Sequence, residues 1–245
     1  MNNGNFYALP NWYQVLQPYT FDTKFVKLRT DAISALADSA NCGTEIDMES
    51  EVSKQVIKDL RPVMKHVPGN CFVSVDLCAP TDTERFASKR GAVHSPESAW
   101  YYLAHSAKVA ASAAAGNVEF VCIRPFRRMS LAREFRLFIY EGKLSAMSQY
   151  NLVRHFRRLV GVRNRYWRIA DEFVQDIIWR LPEKTLVMDI YLTSSEKVLV
   201  IDLNPWGKKT DPLLLNTWER DWSEVSGIHL IPPPTPISGE VKVSF

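Results

Sequence analysis

Two neighbouring apolar segments limit what this chain of 245 residues can fold into. Residues 185–193 and 197–204 each have the length and the apolar pattern of a β-strand. The polar sequence Thr-Ser-Ser-Glu at 193–196 lies between them, and such polar residues are typical of a hairpin turn. The sequence therefore predicts a β-hairpin over residues 185–204.

Three polar side chains of this hairpin are predicted to meet on one face. If the turn is centred between Ser195 and Glu196, Asp189 lies opposite Asp202. Asn204, two residues beyond Asp202, then points to the same face. Facing carboxylates destabilise a sheet unless a cation neutralises them, and Mg2+ prefers one or two carboxylates together with substrate phosphate oxygens. The pattern predicts a metal site at these three residues; the alternative is that one aspartate lies in water and the other caps the following turn.

The composition is typical of a soluble globular protein, with 46% hydrophobic residues, 23% charged residues and a net charge of +3. The length is sufficient for one large or two small domains. No apolar run approaches the roughly 18 to 20 residues of a membrane span, and the first residues lack a signal-peptide pattern. We therefore expect a cytosolic, cytoplasmic protein without a membrane partner.

Several common catalytic motifs are absent from the sequence. It has no GxGxxG or GxxxxGKS/T loop, no HExxH pair and no GxSxG elbow. The four cysteines have neither metal-ligand nor redox spacing, so we expect reduced thiols. These absences disfavour a Rossmann or P-loop protein, a zinc enzyme and a serine hydrolase.

Arginines are concentrated in two segments. Residues 124–136 contain five, and residues 154–168 contain six with aromatic residues between them. Arginine suits bidentate contacts with phosphate and stacking on rings. The segments are therefore candidates for contact with nucleotide phosphates, with an acidic protein surface or, for 154–168, with RNA. The alternative is an exposed basic face that keeps the protein soluble.

The rest of the chain predicts helices and strands without a regular alternation. Helices are predicted at 49–66, at 95–116 with Ser95 as N-cap and Gly116 past the end, and at 169–181. Strands are predicted at 71–77, 119–126, 134–140 and 143–150. Loops are predicted at 37–48 and 78–94, and the aromatic N-terminal segment is expected to pack on the body or on a partner. This order predicts an α+β fold with mixed, largely antiparallel sheets.

Three sequence segments resemble the cell division cycle protein 123 family: EFRLFIYEGKLSAMSQY at 134–150, VMDIYLTSSEKVLVIDLNPWGKKTDPLLLNTWE at 187–219 and, more loosely, FVSVDLCAPTDT at 72–83. The resemblance implies an ATP-grasp-like two-lobe fold that binds ATP with Mg2+. It also implies a role as an assembly chaperone, which in eukaryotic members engages the gamma subunit of translation initiation factor two. On this basis the lobes are expected at 1–120 and 121–245.

The resemblance also assigns roles to individual residues. It makes Asp189, Asp202 and Asn204 the metal and phosphate site, in agreement with the predicted hairpin face. Arg136 corresponds to the phosphate-contacting arginine of the family, and Arg124 to a second basic residue near the nucleotide.

One departure from the family pattern concerns the phosphates. Ser74 stands where the family typically has a lysine, and Pro125 where a lysine commonly follows the arginine. ATP-grasp proteins use such lysines to hold the α- and β-phosphates, and Lys89 is a candidate substitute. Two alternatives remain open at this point: an ATP-dependent ligase or phosphotransferase, and a degenerate ATP-grasp scaffold that only binds a protein or RNA.

Overall fold

The computed structural model of the protein describes residues 5–42 and 46–234. The chain divides into two compact units. The first comprises the described residues of 1–129 together with Leu199–Leu203, and the second comprises Ser130–Val198 and the described residues from Asn204 onward.

The described residues form seven α-helices. They are α1 (Leu9–Leu16), α2 (Thr30–Cys42), α3 (Glu51–Lys65), α4 (Glu84–Lys89), α5 (Pro96–Ala104), α6 (Ala107–Ala114) and α7 (Arg157–Ile177). Short 3-10 turns occur at Gln17–Tyr19, Leu131–Arg133, Ile178–Arg180 and Leu213–Leu215. Within residues 5–42 and 46–234, none of the helices combines the length and the apolar character needed to cross a bilayer.

Eight strands form two sheets in the described part of the chain. They are β1 (Lys24–Lys27), β2 (Cys71–Val75), β3 (Phe120–Pro125), β4 (Glu134–Tyr140), β5 (Lys143–Gln149), β6 (Leu186–Leu192), β7 (Val198–Asn204) and β8 (Gly227–His229). The first sheet has the order β1-β3-β2 and is antiparallel, and the second has the order β7-β6-β4-β5-β8 with a parallel β5–β8 pair. The predicted α+β class with mixed, largely antiparallel sheets is confirmed. The predicted lobe boundary after residue 120 falls inside β3, a strand of the first unit.

The first unit is built around the buried face of its sheet and the helices packed on it. Trp100 of α5 and Leu60 of α3 are fully buried, and the Trp100 indole Nε1 donates to Ser53 Oγ at 2.9 Å. The N-terminal aromatic segment packs on the body as predicted, because Trp12 and Leu16 of α1 are also fully buried. Burial of large apolar side chains supplies most of the favourable free energy of such a core.

The second unit has a packed layer on each face of its sheet, with strand β4 between them. Phe135 of β4 meets the ring of Tyr166 in α7 edge-on, with ring centroids 5.8 Å apart. Phe138, which points to the other face, stacks on Trp222 at 5.3 Å. Alternate residues of a strand point to opposite faces, so even-numbered β4 residues share the face of the tryptophans.

The helix predicted over 95–116 is in fact two helices, α5 and α6. Ser106 is the reason for the break, because its hydroxyl accepts a hydrogen bond from the Val109 N–H and so caps a new helix. Gly116 has the left-handed conformation predicted for a residue past the end, with φ 71°.

Three other boundary predictions were wrong. Helix α2 runs to Cys42, through much of the loop predicted at 37–48; residues 43–45 lie outside the described residues. Helix α4 occupies part of the loop predicted at 78–94. Helix α7 begins at Arg157, well before the predicted start at residue 169, because arginines and Gly161 obscure its apolar spacing.

The turn of the C-terminal hairpin differs from the predicted one. The Thr193 N–H donates to the Lys197 carbonyl at 2.9 Å, and Glu196 is left-handed with φ 61°. The turn is therefore centred on Ser195 and not between Ser195 and Glu196. The left-handed residue adds one position to the loop, which polar composition alone does not indicate.

The cap of helix α5 gives a direct test of the local structure. The Ser95 hydroxyl accepts from the Ser98 N–H and the Ser98 hydroxyl accepts from the Ser95 N–H, each at 3.1 Å. We expect Ser95→Ala to lower the free energy of unfolding by about 1 kcal/mol in urea denaturation, because this reciprocal cap is lost. Lys58→Ala, at an exposed position of α3, is the control and should change it by less than ~0.5 kcal/mol. Equal losses in both variants would contradict the capping role.

Candidate functional site

An open pocket of about 100 Å³ lies in the first unit. Strand β2 contributes Ser74, strand β3 contributes Arg124, and the segment 199–203 contributes Asp202. Asp76 and Cys78, which follow β2, also line it. The pocket therefore brings three of the sequence-predicted site residues together, one of them cationic and one a carboxylate.

Arg124 is the buried cation of this pocket and is only 7% exposed. Its Nε donates to Thr23 Oγ1 at 3.2 Å and its Nη1 to the Ile201 carbonyl at 3.1 Å. Its Nη2 is buried and has no hydrogen-bond partner among the described residues. A buried unpaired donor on a charged group costs more than the ~1 to 3 kcal/mol of a neutral one. An anionic ligand in the pocket would supply the missing acceptor.

Asp202 is one of two carboxylates that line the pocket, together with Asp76. Burial lowers the pKa of the Arg124 guanidinium from its ordinary value, and the Asp202 carboxylate acts in the opposite direction. Asp202 is half-buried, and its Oδ1 accepts a hydrogen bond from the Leu203 N–H at 3.0 Å. A carboxylate in a pocket with a single buried arginine is suited to binding a divalent cation along with an anion.

Ser74, at the position where the family typically has a lysine, and Lys89, the candidate substitute for that lysine, lie in different surroundings. Ser74 is buried, pairs with Cys122 across β2 and β3, and lines the pocket. Lys89, the last residue of α4, is exposed and is not among the described residues that line the pocket. Arg124 is therefore the positive group that the pocket contains.

Arg136 and Asp189 form a buried ion pair in the second unit. They face each other on β4 and β6, with Nε to Oδ1 at 2.7 Å and Nη2 to Oδ2 at 2.8 Å. Their side chains are 8% and 7% exposed. Asn204 Nδ2 donates to Asp189 Oδ2 at 3.2 Å, and Arg136 Nη1 donates to the Asp211 carbonyl at 2.8 Å. Two parallel hydrogen bonds make this the strongest geometry available to such a pair.

In this pair the Asp189 carboxylate neutralises the Arg136 guanidinium. A carboxylate offers about four lone-pair positions, so the ion pair and a metal contact are compatible. No group of three His, Cys, Asp or Glu side chains is arranged to hold a metal ion within residues 5–42 and 46–234. The metal set of Asp189, Asp202 and Asn204 stays a prediction. The facing of the two aspartates was predicted from a turn centred between Ser195 and Glu196, and that premise is wrong.

Glu134 is a functional candidate that the sequence did not single out. It lies two residues before Arg136 on β4 and so shares the face of the ion pair. Burial raises the pKa of Glu134 to about 7, and the negative charge of Asp189 acts in the same direction. Its presence in the otherwise apolar string EFRLFIY was the available signal, since a charged residue at a covered strand position requires a partner or a raised pKa.

Asp76 and Cys78 are two further pocket residues that sequence reasoning missed. The Asp76 carboxylate accepts hydrogen bonds from the N–H groups of Glu119 and Phe120 at 2.8 and 2.9 Å. Burial raises the pKa of the Cys78 thiol to about 11, which keeps it protonated and unreactive near neutral pH. Asp76 thus holds the wall of the pocket together, and Cys78 is a packing residue.

Comparisons with known proteins agree on one family. The model of the family described as D123 matches residues 43–226. Cell division cycle protein 123 of Candida glabrata is 34% identical over 112 residues, which cover 45% of this chain and 30% of that protein. The translation initiation factor eIF2 assembly protein of Danio rerio is 35% identical over 105 residues, covering 42% of this chain and 30% of that protein. The match thus spans about 30% of the length of these curated relatives.

A solved structure shows the same fold. Cdc123 from Schizosaccharomyces pombe superposes with a TM-score of 0.79 at 18% identity, covering 93% of this chain and 96% of that one. The two chains share a fold, and the predicted α+β class is confirmed.

Removal of the Asp189 carboxylate should strongly destabilise the protein. We expect Asp189→Ala to lower the free energy of unfolding by about 3 to 5 kcal/mol, because it leaves the Arg136 charge buried without a counter-ion. The double variant Arg136→Met with Asp189→Ala should recover part of this loss, since no unpaired charge remains. Glu119→Ala, which breaks the exposed pair with Lys27, is the control and should cost less than ~1 kcal/mol. An Asp189→Ala protein as stable as the wild type would refute the role of the pair.

Glu134 should make stability depend on pH. The folded state holds the Glu134 proton up to about pH 7, while the unfolded state releases it near the ordinary glutamate value, so stability falls as pH rises between these values. We expect Glu134→Gln to match the wild type at pH 5 and to be more stable at pH 8 by on the order of 3 kcal/mol. Urea denaturation at both pH values measures this, with exposed Glu172→Gln as control. The same difference at pH 5 and pH 8 would rule out the buried-proton account.

Proposed function

Because the chain belongs to the D123 family, we propose that it binds a magnesium–nucleotide complex, with ATP as the nucleotide, and acts as an assembly factor for a protein partner. The observation that carries the nucleotide part is the pocket of the first unit. There the buried Arg124 guanidinium has one nitrogen without an acceptor among the described residues, in the same pocket as the Asp202 carboxylate.

The charges of the pocket favour an anion that arrives together with a metal ion. Arg124 attracts phosphate, but the carboxylates of Asp76 and Asp202 in the same pocket repel a bare anion. Mg2+ held by Asp202 would remove this repulsion, since this ion prefers one or two carboxylates together with substrate phosphate oxygens. When bound, the metal would neutralise phosphate charge and fix its position.

The size of the pocket limits which part of the nucleotide it holds. A pocket of about 100 Å³ accommodates a metal ion with a phosphate group, and because it is open the rest of the nucleotide extends beyond it. In this proposal Arg124 donates to a phosphate oxygen and Asp202 holds the metal, with Asn204 and Asp189 as its predicted companions. Ser74 contributes no positive charge where the family typically has a lysine, so the affinity depends on the metal and on Arg124.

The partner part of the proposal rests on the relatives. The proteins of Danio rerio and Xenopus laevis that match this chain are named translation initiation factor eIF2 assembly proteins. In a cell with that factor, we propose its gamma subunit as the partner. The nucleotide would act as a clamp: it stabilises the partner-binding conformation in proportion to its higher affinity for that conformation.

Calorimetric titration of the full chain with ATP, with and without Mg2+, tests the nucleotide part. We expect binding that requires Mg2+. Asp202→Asn should lose most of the Mg2+ dependence, and Arg124→Met should weaken binding by about tenfold or more, because a charged hydrogen bond is worth about 1.5 to 3 kcal/mol.

Asp38→Asn is the matched control, because it removes an exposed carboxylate from α2 of the same unit and should leave ATP affinity unchanged. Circular dichroism confirms that each variant is folded. Absence of binding by the wild type, or Mg2+-dependent binding that survives both pocket substitutions, would overturn the assignment.

A further inference from the structure

The start of helix α7 and the segment before it form an exposed basic surface in the second unit, called here the α7 surface (residues 152–168). It contains six arginines and no aspartate or glutamate. All six arginines are exposed: Arg154, Arg157, Arg158, Arg163, Arg165 and Arg168. The sequence identified this charge, and the described residues leave it exposed.

The charge of this surface is only partly balanced within the protein. Arg165 pairs with Glu196 at 2.6 Å and Arg168 approaches Glu172 at 3.8 Å. Arg157 and Arg163 have no ion pair in the part of the chain that the structure describes. A cation in the first turn of a helix is also unfavourable, and the first turn of α7 has no acidic residue and no side-chain cap. The free protein therefore maintains an unfavourable local arrangement of charge.

Aliphatic side chains lie among these arginines. Val153 is 92% exposed and Val160 is 52% exposed. In an α-helix, residues three apart are neighbours, so Val160 lies between Arg157 and Arg163 on the helix surface. Gly161 is next to it, and a Cβ at that position would meet nothing within 4 Å. The surface thus combines guanidinium groups with exposed aliphatic groups and leaves room for close approach.

The aromatic residues of the same segment are less exposed than its six arginines, and the Arg154 guanidinium lies over the Phe156 ring at 5.9 Å. Tyr166 is buried against Phe135, and Phe156 and Trp167 are half-buried. Single-stranded RNA is bound mainly by phosphate contacts and by stacking of bases on exposed rings. Exposed valines add nothing to phosphate contacts, whereas they are suited to burial against aliphatic side chains of a protein. These observations favour a protein partner over RNA.

We propose that the α7 surface binds an acidic protein segment that carries aliphatic side chains. Its carboxylates accept paired hydrogen bonds from the exposed arginines, and its aliphatic residues pack on Val153 and Val160. This inference rests on the partner part of the proposed function and locates that contact on the second unit.

The test measures fluorescence anisotropy of labelled peptides with the full chain. The probe is a peptide of repeating Glu-Glu-Leu, compared with Gln-Gln-Leu repeats, an all-Glu peptide and oligouridylate. We expect the Glu-Glu-Leu peptide to bind most tightly. The double reversal Arg157→Glu and Arg163→Glu should weaken it by about tenfold or more, because attraction becomes repulsion at two contacts.

Two further variants separate charge from aliphatic contact. Lys143→Glu reverses an exposed charge in β5 of the same unit, outside the α7 surface, and should change affinity by less than about twofold. Val153→Ser should weaken the Glu-Glu-Leu peptide several-fold and leave the all-Glu peptide unchanged. Tighter binding of oligouridylate than of the peptide, or peptide affinity unchanged by the double reversal, would overturn the proposal.

Folding and nucleotide binding serve as independent readouts. Arg157→Glu places an anion in the first turn of α7, so its melting temperature should rise by about 1 to 4 °C while peptide binding falls. ATP binding should be the same in this variant and the wild type. If the wild type binds the peptides as expected but does not bind ATP, only the nucleotide part of the proposed function is wrong. If it binds ATP but not the Glu-Glu-Leu peptide, only the proposed role of the α7 surface is wrong.

Discussion

The bidentate ion pair between Arg136 and Asp189 is the constraint on which the second unit depends. Each charge alone would be too costly to bury in a sheet, so the two residues must face each other on β4 and β6. A shift of one residue would turn one of the two side chains to the opposite face of the sheet. Asn204 extends the same hydrogen-bonded network, because its amide donates to Asp189.

Arg124 and Arg136, the buried arginines among the described side chains, differ in how their charge is satisfied. Arg136 has a bidentate carboxylate partner. Arg124 instead donates to a hydroxyl and a carbonyl of its own unit, and one of its nitrogens has no acceptor among the described residues. A fully hydrogen-bonded ion pair stabilises the fold. A buried cation in a pocket that has a donor without an acceptor among the described residues is instead suited to binding an anionic ligand. The Arg124 pocket is for this reason the stronger indication of function.

The sequence predicted those parts of the structure that depend on local pattern. The hairpin around Glu141 and Gly142 and the Ser95 cap are confirmed, because apolar alternation and cap residues act over a few positions. The sequence also identified Arg136 and Asp189, but as separate phosphate and metal residues. The two residues lie on strands that are far apart in the chain, and local patterns in a single sequence do not show which distant strands are neighbours. The left-handed Glu196 was missed because it is not a glycine, and the early start of α7 was missed because arginines and Gly161 obscure its apolar spacing.

Arg124 Nη2, which has no acceptor among the described residues, is proposed to bind a phosphate that Asp202 holds together with a metal ion. A crystal structure of the protein with Mg2+ and a non-hydrolysable ATP analogue tests this proposal. We expect a phosphate oxygen within hydrogen-bond distance of Arg124 Nη2 and the metal coordinated by the Asp202 carboxylate. A nucleotide bound elsewhere, with Nη2 still without an acceptor, would contradict it.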